Sequence, residues 1–207
     1  MFATILKLFG CSGQGTDESK NRLKDTLEEQ ISKSINELKD RPIHKRLTKA
    51  IIDSTSDENL LQVVFDNLSA NQPTNYEKEY ETLMAWNKPR QAIYMIWLLE
   101  AEVNNGGYNQ FYFNSSGQFY KYLPEALKLV RANKFANLTK RANETFEKEH
   151  PKITQHQDGT IEGFSKSYDD NPLNKLDDEF FELYKIEDLQ KILVDFIRKN
   201  EVDFIDN

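Results

Sequence analysis

The residues of this sequence best suited to chemistry lie between Glu100 and Gly117. There Glu100, Glu102, Asn104, Asn105, Asn109, Gln110 and Asn114 gather around Gly106 and Gly107. Neighbouring carboxylates can work as general acid and base when buried. Glu100 and Glu102 are two apart on a helix and so face different ways, which weakens that use. Two roles stay open for the stretch. The amides and Glu102 could line a polar recognition pocket, or Glu102 could brace a tight corner between two core helices. A phosphate cradle is not one of them, because Gly106 and Gly107 follow a helix instead of leading one from a strand. Elsewhere, no motif places a histidine near Cys11, and Ser115-Ser116 lacks the frame of a nucleophile elbow. Glu149, His150, His156 and Asp158 match no zinc spacing. Asp169-Asp170-Asn171 lacks the glycine and the closing Glu of a calcium loop. The expectation is therefore a protein without a catalytic residue, metal or cofactor, and not an enzyme.

The corner is positioned by the most apolar run in the chain. Ala92, Ile93, Tyr94, Met95, Ile96, Trp97, Leu98 and Leu99 are apolar on every side, as in a buried central helix. The run is too short for a membrane span, which needs about 20 residues. Asn104-Asn105-Gly106-Gly107 ends that helix, since Gly and Asn tolerate positive φ. Tyr108 to Phe113, with four aromatics, reads as a short core helix, and Asn114-Ser115-Ser116-Gly117 as a second stop. Before the central helix, periodic apolar positions predict helices carrying Leu60 to Leu68 and Tyr76 to Met84. After it they predict helices over Phe119–Ala132, Phe135–Lys148 and Leu176–Tyr184, and a final one from Ile186 to Ile197. Glu149 to Asn174 holds Pro151, Gly159, Gly163 and Pro172 and reads as a long irregular connection. No run alternates as a strand would. The expected fold is all-α: a single multi-helix globular domain over residues 55–207 with a helical N-terminal arm over 16–54. The arm's stripe of Leu23, Leu27, Ile31, Ile35 and Leu38 would pack on the domain or on a second copy. Residues 1–15 form a short apolar segment and linker. Its Leu8-Phe9-Gly10-Cys11 loosely resembles a lipoprotein cleavage site but lacks the basic leader and the length.

Charge separates the chain into unequal parts. Of its 207 residues, 29% are charged and 38% hydrophobic, and the net charge is -7. From Asp158 to Asn207 there are 14 acidic and 6 basic residues, a charge of -8; the preceding 157 residues carry 20 acidic and 21 basic, a charge of +1. An acidic quarter repels nucleic acid and attracts basic partners; a solvated face serving solubility has the same composition. Lys121, Lys128, Arg131, Lys134, Lys140 and Arg141 are interleaved with core residues and read as an ordinary solvated face, so direct nucleic-acid binding is not expected. The single cysteine fits a reducing compartment, and a cytoplasmic location is expected.

Glu102, Asn105, Gly106, Gly107, Tyr108, Gln110, Phe111, Tyr112, Asn114, Ser115 and Gly117 carry a resemblance. Their pattern, Glu-x-x-Asn-Gly-Gly-aromatic, Gln-aromatic-aromatic, Asn-Ser-x-Gly, resembles the bacterial DNA-mimic protein family numbered nineteen in its series, a domain of unknown function. Pro124 to Leu127 and Leu176 to Phe181 fit the family's later helices, and the likeness covers roughly residues 55–205. It implies that the motif residues are structural. It also implies a non-enzymatic role in which carboxylates on rigid helices copy the spacing of backbone phosphates and occupy a basic DNA-binding protein, such as a transcription factor. The carboxylates in question are Asp169, Asp170, Asp177, Asp178, Glu179 and Glu182. A homodimer is suggested by the family and by the Leu23 to Leu38 stripe. Two alternatives stand beside this. One is a toxin-neutralising or defence-associated binder without mimicry. The other is an enzyme with its site at the Asn-Gly-Gly corner.

Overall fold

A computed structural model describes residues 39–73 and 75–206. The chain divides into two units, residues 1–43 and 44–207. The N-terminal segment with Cys11, its linker, the Leu23 to Leu38 stripe and Thr74 lie outside the described residues. Everything below concerns the second unit. It begins at His44.

Nine α-helices form among the described residues: α1 (Lys49–Ser54), α2 (Asp57–Ala70), α3 (Glu79–Ala85), α4 (Lys88–Phe113), α5 (Leu123–Leu129), α6 (Asn133–Ile153), α7 (Ile161–Lys166), α8 (Asn174–Leu183) and α9 (Leu189–Lys199). No strand occurs among those residues. None of these helices is long and apolar enough to cross a membrane. The central helix α4 starts at Asn87, whose side-chain oxygen accepts from the Arg90 N–H at 3.0 Å, with Pro89 in its first turn. Ile93, Ile96, Leu99 and Val103 are fully or almost fully buried. Helix α2 packs on α4 and α9; α5 packs on α4 and α6; α8 lies across both α4 and α6. One core therefore surrounds α4, and fully burying an aliphatic or aromatic side chain there contributes roughly 1.5–3 kcal/mol.

Two fastenings hold the periphery. Helix α6 has Ala132 at its N-cap position, which offers no side-chain acceptor. Glu187 supplies one from the turn before α9, accepting from the Lys134 and Phe135 N–H groups at 3.1 and 3.0 Å. The next residue, Asp188, caps α9 itself through the Lys191 N–H at 2.9 Å. Arg198 on α9 donates to the Ile52 and Thr55 carbonyls at the end of α1 and to Asp57 at the start of α2. Its fork thereby answers orphan carbonyls and a helix N-terminus together.

The elements differ from expectation in the middle. Helix α6 kinks directly after Lys148, and a further helical stretch carrying Pro151 runs on to Ile153. The backbone of Glu149 leaves helical geometry there (φ -100°, ψ 15°), so the proline ring has room. The long connection is correspondingly shorter, and α7 forms within it, capped by Thr160 on the Gly163 N–H. Residues 115–119 form a 3₁₀ turn, and α5 starts only at Leu123, beside Pro124.

Replacing Glu187 with Ala leaves two N–H groups of α6 without their acceptor. Stability in urea should fall by about 1 kcal/mol. An unchanged midpoint would show that the cap is not used.

Candidate functional site

Helix α4 breaks at the glycines and resumes. Gly106 (φ -157°, ψ 30°) and Gly107 (φ 70°, ψ -178°) leave helical geometry. The conformation at Gly107 is essentially open to glycine alone. A break strands backbone groups as any helix end does, and side chains from elsewhere answer them. Asp177, in the first turn of α8, accepts from the Tyr108 N–H at 2.7 Å. It thus caps the second limb from 69 residues away. The Tyr168 hydroxyl donates to the Gly106 carbonyl at 2.9 Å. There is no space at the joint for a side chain: a Cβ on Gly107 would stand 2.2 Å from an Asp177 oxygen.

Glu102 closes the joint on its other side. One carboxylate oxygen accepts from Gln110 at 2.7 Å and Asn114 at 2.8 Å, the other from Ser116 at 3.1 Å. Asn105 donates to the Gln110 carbonyl oxygen at 3.0 Å. The two limbs of α4 and the following 3₁₀ turn are thus bound to one carboxylate. Asn109 is fully buried; it donates to Ser167 at 2.7 Å and accepts from Asn171 at 3.0 Å. Asn104 donates to the Tyr184 hydroxyl, which donates to Glu100 at 2.9 Å. Burial pushes the Glu100 carboxyl upward, partly offset by that hydroxyl. The polar side chains considered for a recognition pocket are therefore bonded to one another and to their neighbours. The aromatic ones anchor the second limb. Tyr108 and Phe111 are fully buried, the Tyr108 hydroxyl meets Thr139 at 3.0 Å, and Tyr112 stacks on Phe146 at 4.0 Å. Gly117 is needed because a Cβ would stand 2.9 Å from the Phe111 and Tyr112 carbonyl oxygens.

The six acidic candidates fall into three groups. Asp169, Asp170 and Asp178 are exposed. Glu179 takes both arms of Arg141, at 2.6 and 2.9 Å, and Glu182 takes Lys185 at 2.6 Å. Arg141 holds the Glu179 carboxyl below the usual range. Asp177 is the exception. It is half-buried and turned onto the helix break, not outward with the others. Burial pushes its carboxyl up to about 6 and Asp178 adds to that, while the Tyr108 N–H pulls it down. Among the described residues, neither Asp177 nor Glu102 has a cation within salt-bridge distance. No three His, Cys, Asp or Glu among the described residues could hold a metal ion.

A family model described as DMP19-like protein matches residues 84–200. The chain belongs to the DMP19-like protein family. No curated protein and no solved structure matches it. The matched span of this DMP19-like protein runs from the end of α3 through α9. It contains the whole joint: Glu102 to Gly117, Asp177 and the Glu187 cap. The fasteners Ser116, Tyr168, Tyr184 and Arg141 have no local sequence signal that would mark them.

Gly107→Ala combines positive-φ strain with a clash, whereas Gly159→Ala (φ 82°) meets no atom within 4 Å. Gly159→Ala should cost about 1 kcal/mol and Gly107→Ala clearly more, on the order of 3 kcal/mol. Equal costs in urea titrations would mean that Asp177 does not close the joint. Glu102→Ala leaves three donors without an acceptor and should cost about 2–3 kcal/mol by the same measurement.

Proposed function

We propose that this protein is a non-enzymatic binding protein of the DNA-mimic type, whose acidic surface engages a basic DNA-binding protein. The observation that carries this is membership of the DMP19-like family in a chain whose last 50 residues hold a net charge of -8. The contact surface comprises Asp169, Asp170, Asp178, Glu179 and Glu182. On α8, Asp178 and Glu182 are four residues apart and share a face.

Two further features support the reading. The Arg141–Glu179 and Lys185–Glu182 pairs are exposed, with side chains 47–68% accessible. Exposed pairs contribute little, so an arginine or lysine of a partner can replace either cation. Asp178, Glu179 and Glu182 are carried on α8, which meets α4 through Asp177 and Tyr184. Charge complementarity steers encounter while adding salt sensitivity. At the Asn-Gly-Gly corner, by contrast, the polar groups are satisfied internally, which favours a structural role there over catalysis.

The test is affinity capture by the full chain from a lysate of its source cells, at low and high salt. The expected result is a DNA-binding protein retained at low salt and released by high salt. The triple variant Asp178→Asn, Glu179→Gln, Glu182→Gln should weaken its binding at least ten-fold. Retention of a protein that does not bind DNA, and that survives the high-salt wash, would sink the mimic reading in favour of an apolar interface.

A further inference from the structure

Helix α8 rests on the break through a half-buried carboxylate that accepts from the Tyr108 N–H and, among the described residues, has no cation within salt-bridge distance. The groups around that carboxylate are few. From α4 it meets Gly107 and the Tyr108 N–H. Tyr168 closes the adjoining carbonyl. Helix α6 contributes Arg141, already engaged by Glu179. On α8 itself, Asp178 follows it and Lys175 is exposed. Glu102 holds the same joint and is occupied by three donors. Ionised, Asp177 therefore faces one neutral donor and a neighbouring negative charge.

We propose that the Asp177 contact with the Gly106–Gly107 break is a proton-sensitive latch: protonation holds α8 on the central helix, and ionisation loosens it. The direction follows from linkage. Docked, the carboxyl titrates at about 6; lifted into water it returns to an ordinary value near 3.8. The docked state binds the proton more tightly, so its advantage is full below 3.8 and is lost as pH rises through about 6. Those two values imply an opening constant for α8 that rises about ten-fold between pH 5 and pH 7.5 and levels off above pH 7. The latch is a property of the free protein and holds whether or not the acidic surface binds a DNA-binding protein.

Native-state hydrogen exchange of the full chain tests it, with α8 amide rates corrected for the intrinsic pH dependence of exchange. The α9 amides serve as the control. In the native protein the α8 opening constant should rise about ten-fold from pH 5 to 7.5 while that of α9 stays level. Asp177→Asn keeps an acceptor for the Tyr108 N–H and removes the titration, so its α8 profile should be flat. Asp178→Asn should move the midpoint to lower pH. A flat α8 profile in the native protein, or the same ten-fold rise in Asp177→Asn, would overturn the latch. Should Asp177→Asn not fold, the native profile and the Asp178→Asn shift decide the matter.

Discussion

Everything in this domain leans on a break in its longest helix, and the break persists because two carboxylates satisfy what it exposes. Interrupting a helix inside a core strands backbone groups where water cannot reach them, at about 1–3 kcal/mol for each one left unpaired. Glu102 gathers the second limb and the following turn with three accepted hydrogen bonds. Asp177 caps the limb that resumes at Tyr108. Among the described residues neither carboxylate has a salt-bridge cation, and each is met by neutral donors. The glycines are the other half of the same constraint: Gly107 provides a positive φ and the empty space into which Asp177 fits.

That joint decides where the outer helices lie. Turning α4 at Gly107 brings Tyr108 and Phe111 into the core and sets α6 beside them, with Tyr108 reaching Thr139. Helix α8 is then held across α4 and α6 by Asp177, by Tyr184 on Glu100 and by the Arg141–Glu179 pair. The acidic quarter of the chain thus does two kinds of work. Glu187 and Asp188 turn onto helix N-termini, where negative charge is favoured, and Asp177 caps the limb that resumes at Tyr108. Asp169, Asp170, Asp178, Glu179 and Glu182 face solvent.

How far this was legible in the sequence depended on range. The all-α fold, the buried run from Ala92 to Leu99 and the interruption at Gly106-Gly107 are local patterns, and the structure has all three. Partners fixed by tertiary packing were not legible. Nothing near Asp177 distinguishes it from Asp178, yet one faces the joint and the other the solvent, because α8 presents them on different sides. The cap on α6 lies more than fifty residues from the N–H groups it serves, and Ala132 gives only the negative sign that a cap must come from elsewhere. Pro151 reads as a stop, and the backbone does leave helical geometry at Glu149, after which a short helical stretch follows to Ile153.

The central claim is that the family's motif builds the joint while the outward acids meet the partner. Carboxyl labelling of the chain, free and bound to the protein it captures, tests this most directly. Binding should protect Asp169, Asp170, Asp178, Glu179 and Glu182, and leave the labelling of Glu58 and Glu81, far from them in sequence, unchanged. Protection confined to other acids, with those five labelled as in the free protein, would contradict the account.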